Sequence, residues 1–183
     1  MVLVVLRVAP GRALLSTALL FALLLGRAIP GHAAGSQTST VVVTASIPPS
    51  CTIGTAAIAF VAYDPVNANA TSPDDQMGDI VIRCTKGASG ITVGLGNGAN
   101  NTGSQRRMVN SADPSTTLNY EVYKEPGRTT VWGPGDGGSL RAGSDLDGTG
   151  SNVTVTMYGR IPPHQLQATA GTYTDTLVST ILF

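Results

Sequence analysis

Past residue 50 the chain repeatedly places apolar side chains at every second position. Ile80, Ile82 and Cys84 alternate with Asp79, Val81 and Arg83. Ile91, Val93 and Leu95 alternate with Thr92 and Gly94, and Leu118, Tyr120 and Val122 with Asn119 and Glu121. Val153, Val155 and Met157 alternate with Asn152, Thr154 and Thr156. At the end, Leu177, Ile181 and Phe183 alternate with Val178, Thr180 and Leu182, with apolar residues on both faces. A period of two places successive side chains on opposite faces of a strand. No window past residue 34 sustains the i, i+3, i+4 spacing of an amphipathic helix. The runs are short, rich in Val, Ile, Thr and Tyr, and separated by Gly, Asn, Asp and Pro clusters, which predicts an all-β sandwich. The longest loops are expected over 65–76, 96–104 and 133–151, and no internal repeat is evident.

One more alternating run lies apart, over residues 38–47. Val41, Val43, Ala45 and Ile47 would form one face, and Val42, Thr44 and Ser46 the other. Pro48 and Pro49 end it, because proline cannot donate to a ladder. No charged residue falls between Gly35 and Tyr63. An apolar β segment at a chain end invites aggregation unless it pairs with something. It is either the first strand of its own sandwich, which periodicity alone favours, or a strand that completes another molecule.

The first 34 residues differ in kind. Arg7 and Arg12 precede an apolar stretch, 13–25, that is too short for a comfortable membrane span. Pro30 and Gly31 break it, and Ala33 and Ala34 supply small residues. This is the pattern of a cleaved secretory signal, expected over 1–34. The 183-residue chain balances 11 basic against 11 acidic residues, but the signal carries off Arg7, Arg12 and Arg27. The remaining 35–183 is mildly acidic and offers no basic footprint for nucleic acid. It is long enough to bury a core as a single domain. Its two cysteines, Cys51 and Cys84, are expected to form a disulfide in an oxidising compartment.

Candidate chemistry is sparse. The mature part has one histidine, His164, and no Gly-x-Ser-x-Gly elbow to set beside it. Asp74 with Asp75, and Asp145 with Asp147, are close carboxylate pairs, but both lie in turn-rich stretches where Asp serves the backbone. Asp145, Asp147 and Gly148 begin a calcium-loop pattern that lacks its other ligands. Gly94, Gly96 and Gly98 lack the dinucleotide spacing. Asn69, Asn100 and Asn152 head formal glycosylation acceptors. Trp132, Tyr120, Tyr123, Tyr158 and Tyr173 are candidates for a sugar-binding face, but aromatic residues on strands more often pack in the core. The expectation is a protein that is not an enzyme, with no catalytic residue, no metal and no cofactor.

Several stretches, in this order, resemble one family. They are Cys51 and Thr52 after the Val-rich run; Phe60, Tyr63, Asp64 and Pro65; and Gly78, Ile80, Ile82, Cys84 and Thr85. Then come Arg107 and Met108; Leu118, Tyr120, Val122 and Tyr123; and Trp132 and Gly133. Tyr158 through Pro163 with Gln165 is the most specific, and Gly171, Tyr173, Asp175 and Thr176 close the series. Over roughly 38–183 the chain resembles the spore coat protein U domain, a family shared with subunits of archaic (Csu-type) chaperone–usher pili. The resemblance implies an incomplete immunoglobulin-like β-sandwich over 49–183, completed by a donor strand from another subunit. It implies that 35–48 is that donor strand, with Val41, Val43, Ala45 and Ile47, or the register one residue off, entering a neighbour's groove. Leu177, Ser179, Ile181 and Phe183 would edge the groove that meets the chaperone. The partners implied are a periplasmic pilus chaperone, an outer-membrane usher and neighbouring pilin subunits, and the destination is a cell-surface fimbrium serving adhesion and biofilm formation. A spore or cell-surface coat protein, or a monomeric carbohydrate-binding sandwich, is the alternative.

Overall fold

The structure is a computed structural model that describes residues 35–54, 56–134 and 142–183, with backbone alone for 142–145. The signal segment expected over 1–34 lies outside the described residues. The chain divides into two units, Met1–Thr44 and Ala45–Phe183. Of the first, residues 35–44 are exposed and belong to no strand.

Among the described residues there are nine strands and no helix: β1 (Cys51–Ile53), β2 (Asp74–Cys84), β3 (Ile91–Leu95), β4 (Arg106–Asn110), β5 (Thr117–Tyr123), β6 (Ala142–Leu146), β7 (Asn152–Ile161), β8 (Tyr173–Thr174) and β9 (Ser179–Leu182). They form a six-stranded sheet in the order β1-β2-β7-β5-β4-β8 and a three-stranded sheet in the order β6-β3-β9. Every pairing is antiparallel. This is an incomplete immunoglobulin-like β-sandwich: the smaller sheet is too narrow to cover the inner face of the larger.

The alternating runs become strands with the expected inward faces. Ile80, Ile82 and Cys84 on β2, Leu118, Tyr120 and Val122 on β5, and Met157 and Ile161 on β7 are buried from the larger sheet. Ile91, Val93 and Leu95 are buried from the smaller one. Fully buried Trp132 donates its indole N–H to the Val93 carbonyl at 2.8 Å, so its polar atom is satisfied where its ring fills the core.

Two loop expectations need correction. The stretch expected as loop to residue 76 ends earlier: β2 starts at Asp74 and pairs with β7 over ten positions, from Asp74↔Ile161 to Arg83↔Asn152. The stretch 133–151 contains β6, which pairs with β3. The first residues of β2, Asp74 to Gln76, and all of β6 but Leu146 are polar or small and carry no apolar alternation. The ten-pair ladder with β7 recruits the start of β2, and β6 is taken up along β3 across a register shift, both despite poor β propensity. The expected disulfide is present: Cys51 and Cys84 are directly opposed across β1 and β2 and bonded.

Candidate functional site: a trough between two walls

The uncovered part of the larger sheet forms the floor of a trough. One wall begins after β1. Residues 56–62 run across the sheet as a strap that makes no backbone hydrogen bond to any strand among the described residues. It is held by side chains. Ile58 and Phe60 turn inward, and the Phe60 ring meets Tyr120 edge-on at 6.2 Å between centroids. Two glycines of the floor make room for them. A Cβ on Gly159 of β7 would lie 2.8 Å from Phe60 Cζ and 3.0 Å from Ile58 Cγ2. A Cβ on Gly78 of β2 would strike the Ala57 carbonyl.

The other wall is the C-terminal segment, which changes sheets along its length. Its start, β8, pairs with β4 of the larger sheet, and its end, β9, pairs with β3 of the smaller. Between them Thr176 and Val178 accept backbone hydrogen bonds from Ala99 and Gly96. From Tyr173 to Leu182 exposure alternates strictly. Tyr173, Asp175, Leu177, Ser179 and Ile181 are half-buried, while Thr174, Thr176, Val178, Thr180 and Leu182 are exposed. Leu177, Ser179 and Ile181 therefore share the inward side, and Phe183 lies exposed at the chain end. β9 is the last strand of its sheet.

Between the walls lie two cavities of about 580 and 710 Å³ that share Ile58, Phe60, Met108 and Tyr173 in their lining. The first is bounded by Ile53, Gly54, strap residues 56–58 and 60, and by 173–177 and 179; the second is bounded by 58–65 and by 168–173. Residue numbers rise along one wall as they fall along the other, so the walls run antiparallel. The floor is apolar: Ile80, Met108, Leu118, Tyr120, Val122, Met157 and Ile161.

A polar cluster joins the second wall to the floor. Asp175 accepts the Tyr120 hydroxyl at 2.7 Å, and the backbone and side-chain N–H groups of Asn100 at 3.2 and 2.9 Å. Burial, and then the Asp175 carboxylate, push the Tyr120 hydroxyl well above its usual titration range, so it stays a donor. Gly98, at φ 92°, sits where any Cβ would collide with that carboxylate. These contacts pin the second wall to the floor. Close by, fully buried Arg106 donates to the carbonyls of Leu95, Gly96 and Trp132 and pairs with Glu121, joining the two sheets.

The candidate chemistry does not converge. His164 is exposed in a turn at φ 62°. Asp74 and Asp75 are strand neighbours on opposite faces. Asp74 is buried beside Gln76, and Asp75 takes both Arg160 nitrogens at 2.7 Å. The Asp145 side chain lies outside the described residues, so its pairing with Asp147 is not described. Among the described residues no cluster of three metal-ligating side chains occurs. Trp132 and Tyr120 are core residues rather than parts of a sugar-binding face. Residues 38–47 are exposed throughout and form no strand pairing; Val43 is 88% exposed.

The strap, the floor glycines and Arg106 were not singled out as site residues by the sequence pattern. The stretch free of charge does reach Tyr63, and it runs through the whole strap. That was the available signal, but without alternation it named no partner.

The spore coat protein U domain model matches residues 37–180, a span that includes the trough and nearly all of both its walls. A relative from Myxococcus xanthus, "Protein U", is 34% identical over 161 residues, covering 82% of this chain and 87% of the relative. With the trough, the disulfide and the match along most of its length in agreement, this chain belongs to the spore coat protein U domain family.

Proposed function

We propose that this protein is a structural subunit of a secreted surface assembly, polymerised by strand exchange without chemical catalysis. The observation that carries the reading is a pair that fits: a trough between two walls whose facing backbone is not joined, and an exposed, apolar segment on the same chain. A ten-residue strand spans roughly 33 Å, comparable to a wall of about a dozen residues. Its alternating Val41, Val43, Ala45 and Ile47 would meet the apolar floor, while its backbone would pair with the edge of β9 and with the strap. Antiparallel walls also mean that an inserted strand runs parallel to one and antiparallel to the other. A head-to-tail contact of this kind does not close on itself and so builds a filament. In this reading residues 35–48 are the donor. A periplasmic chaperone fills the trough before assembly, and an outer-membrane usher passes the subunits to a fimbrium used for adhesion and biofilm formation.

Membership of the spore coat protein U domain family, and the relative named "Protein U", favour a second destination: a surface or coat layer built from the same subunits. Both destinations use the same contact. The test is a version lacking 35–47 mixed with a synthetic peptide of residues 38–47. Saturable binding with a raised Tm supports strand exchange. A self-sufficient monomer that ignores the peptide overturns it. Electron microscopy of the native surface then separates fibres from a layer.

A further inference from the structure

The exposed segment enters the domain at a weak point. β1 is held to β2 by three residue pairs, of which Cys51↔Cys84 is the outermost, and by one more backbone hydrogen bond from Gly54 to the Val81 carbonyl. Past β1 comes the strap, with no backbone hydrogen bond across 56–62. A pull on residue 50 would peel β1 from its free end and then strip the strap off the floor. The strap is one wall of the trough. In a filament, load on the strand a subunit donates would thus open the trough in which that subunit holds its neighbour.

We infer that the Cys51–Cys84 disulfide passes tension from the N-terminal segment directly into β2, so that the strap carries none. The bond joins the first residue of β1 to the last residue of β2. β2 is in turn tied to β7 over ten residue pairs, the longest ladder in the domain. The Thr85 backbone N–H and hydroxyl both reach the Ser50 carbonyl, at 2.8 and 3.2 Å, and hold the chain on the same line. The bond therefore insulates the trough that receives a strand from the segment that donates one. The purpose assigned to it rests on the strand-exchange reading; the force path does not.

The test uses single chains of residues 35–183 in magnetic tweezers. One handle is a peptide tag ahead of Gly35, and the other is an azide-bearing residue in place of Thr154, which faces solvent on β7. The oxidised chain should extend only when β2 parts from β7. Reductant added to the tethered, folded chain should introduce an earlier, lower-force step, as roughly 20 residues pay out at about 3.4 Å each, or ~70 Å. Rupture in one step at the same force in both redox states overturns the inference, even if the protein assembles by strand exchange. A redox-dependent step in a chain that never assembles upholds the force path and overturns strand exchange instead.

Discussion

Arg106 shows what a single residue does for this fold. Its side chain is wholly buried, yet its guanidinium finds three carbonyls and Glu121. A buried cation is tolerated only when its donors are so occupied. Arg106→Met should cost about 3–5 kcal/mol in chemical denaturation, because it leaves Glu121 and the carbonyls without their donor. Arg106→Lys should recover only part, since a point charge cannot serve the carbonyls of two segments and Glu121 at once. On the outer face, Asp75 is held below the ordinary carboxylate value of 3.8, first by its hydrogen bonds to Arg160, with Arg128 also nearby. A depressed folded value means the pair contributes fully above pH 4 and loses its contribution as the pH falls further. Thermal scans from pH 7 to 2 should therefore show a shallower acid loss for Asp75→Asn than for the parent.

At the scale of elements, the strap and the segment before it behave oppositely. The strap is fixed by shape, through Ile58 and Phe60 over Gly78 and Gly159. Gly159→Val should push Phe60 aside and destabilise the domain by about 1–3 kcal/mol, the usual cost of overpacking. Peptide binding in the trough should weaken with it. Among the described residues nothing pairs with residues 38–47, which are exposed throughout. Val43→Asp should leave the domain's own unfolding within ~0.5 kcal/mol of the parent, because the side chain is exposed. The same change should abolish assembly, since it would bury an unpaired carboxylate in an apolar trough. A domain destabilised by Val43→Asp would show that the segment packs in cis. Removing both cysteines should cost about 3–4 kcal/mol for a 33-residue separation in the loop-entropy account, as read by denaturant midpoint.

For the molecule as a whole, a chain of residues 35–183 should associate in a concentration-dependent way, while the version lacking 35–47 stays monomeric. Analytical ultracentrifugation over a hundredfold dilution separates the two. Two monomeric profiles would remove the strand-exchange reading and leave the fold intact. The division of labour explains the composition. The apolar segment that endangers solubility is also the one without charge, while all 11 acidic residues lie beyond Tyr63. The segment proposed to enter a neighbour carries no charge, and in the trough the Asp175 carboxylate is taken up by Tyr120 and Asn100.

Much of this was legible in residues alone. Period-two runs identified β2, β3, β5, β7 and β9 and their inward faces, because alternation is imposed locally by the pleat. The two cysteines left one pairing, and the charge-free run marked residues 38–47 as unusual. Other features depended on contacts between segments far apart in the chain. β4 and β6 lack strong alternation and become strands because a ladder is offered to them. The strap has inward side chains only because glycines from two neighbouring strands leave space beneath it, and no local window records that coincidence. The local pattern gives Asp175 no partner until Tyr120 and Asn100 arrive from 55 and 75 residues away. The trough itself is a property of sheet width, three strands over six. Sequence pattern determined which residues could be strands and which side faced inward. Only the tertiary structure decided which edges were left without a partner, because pairing is settled by closure of the whole sandwich and not by any one strand.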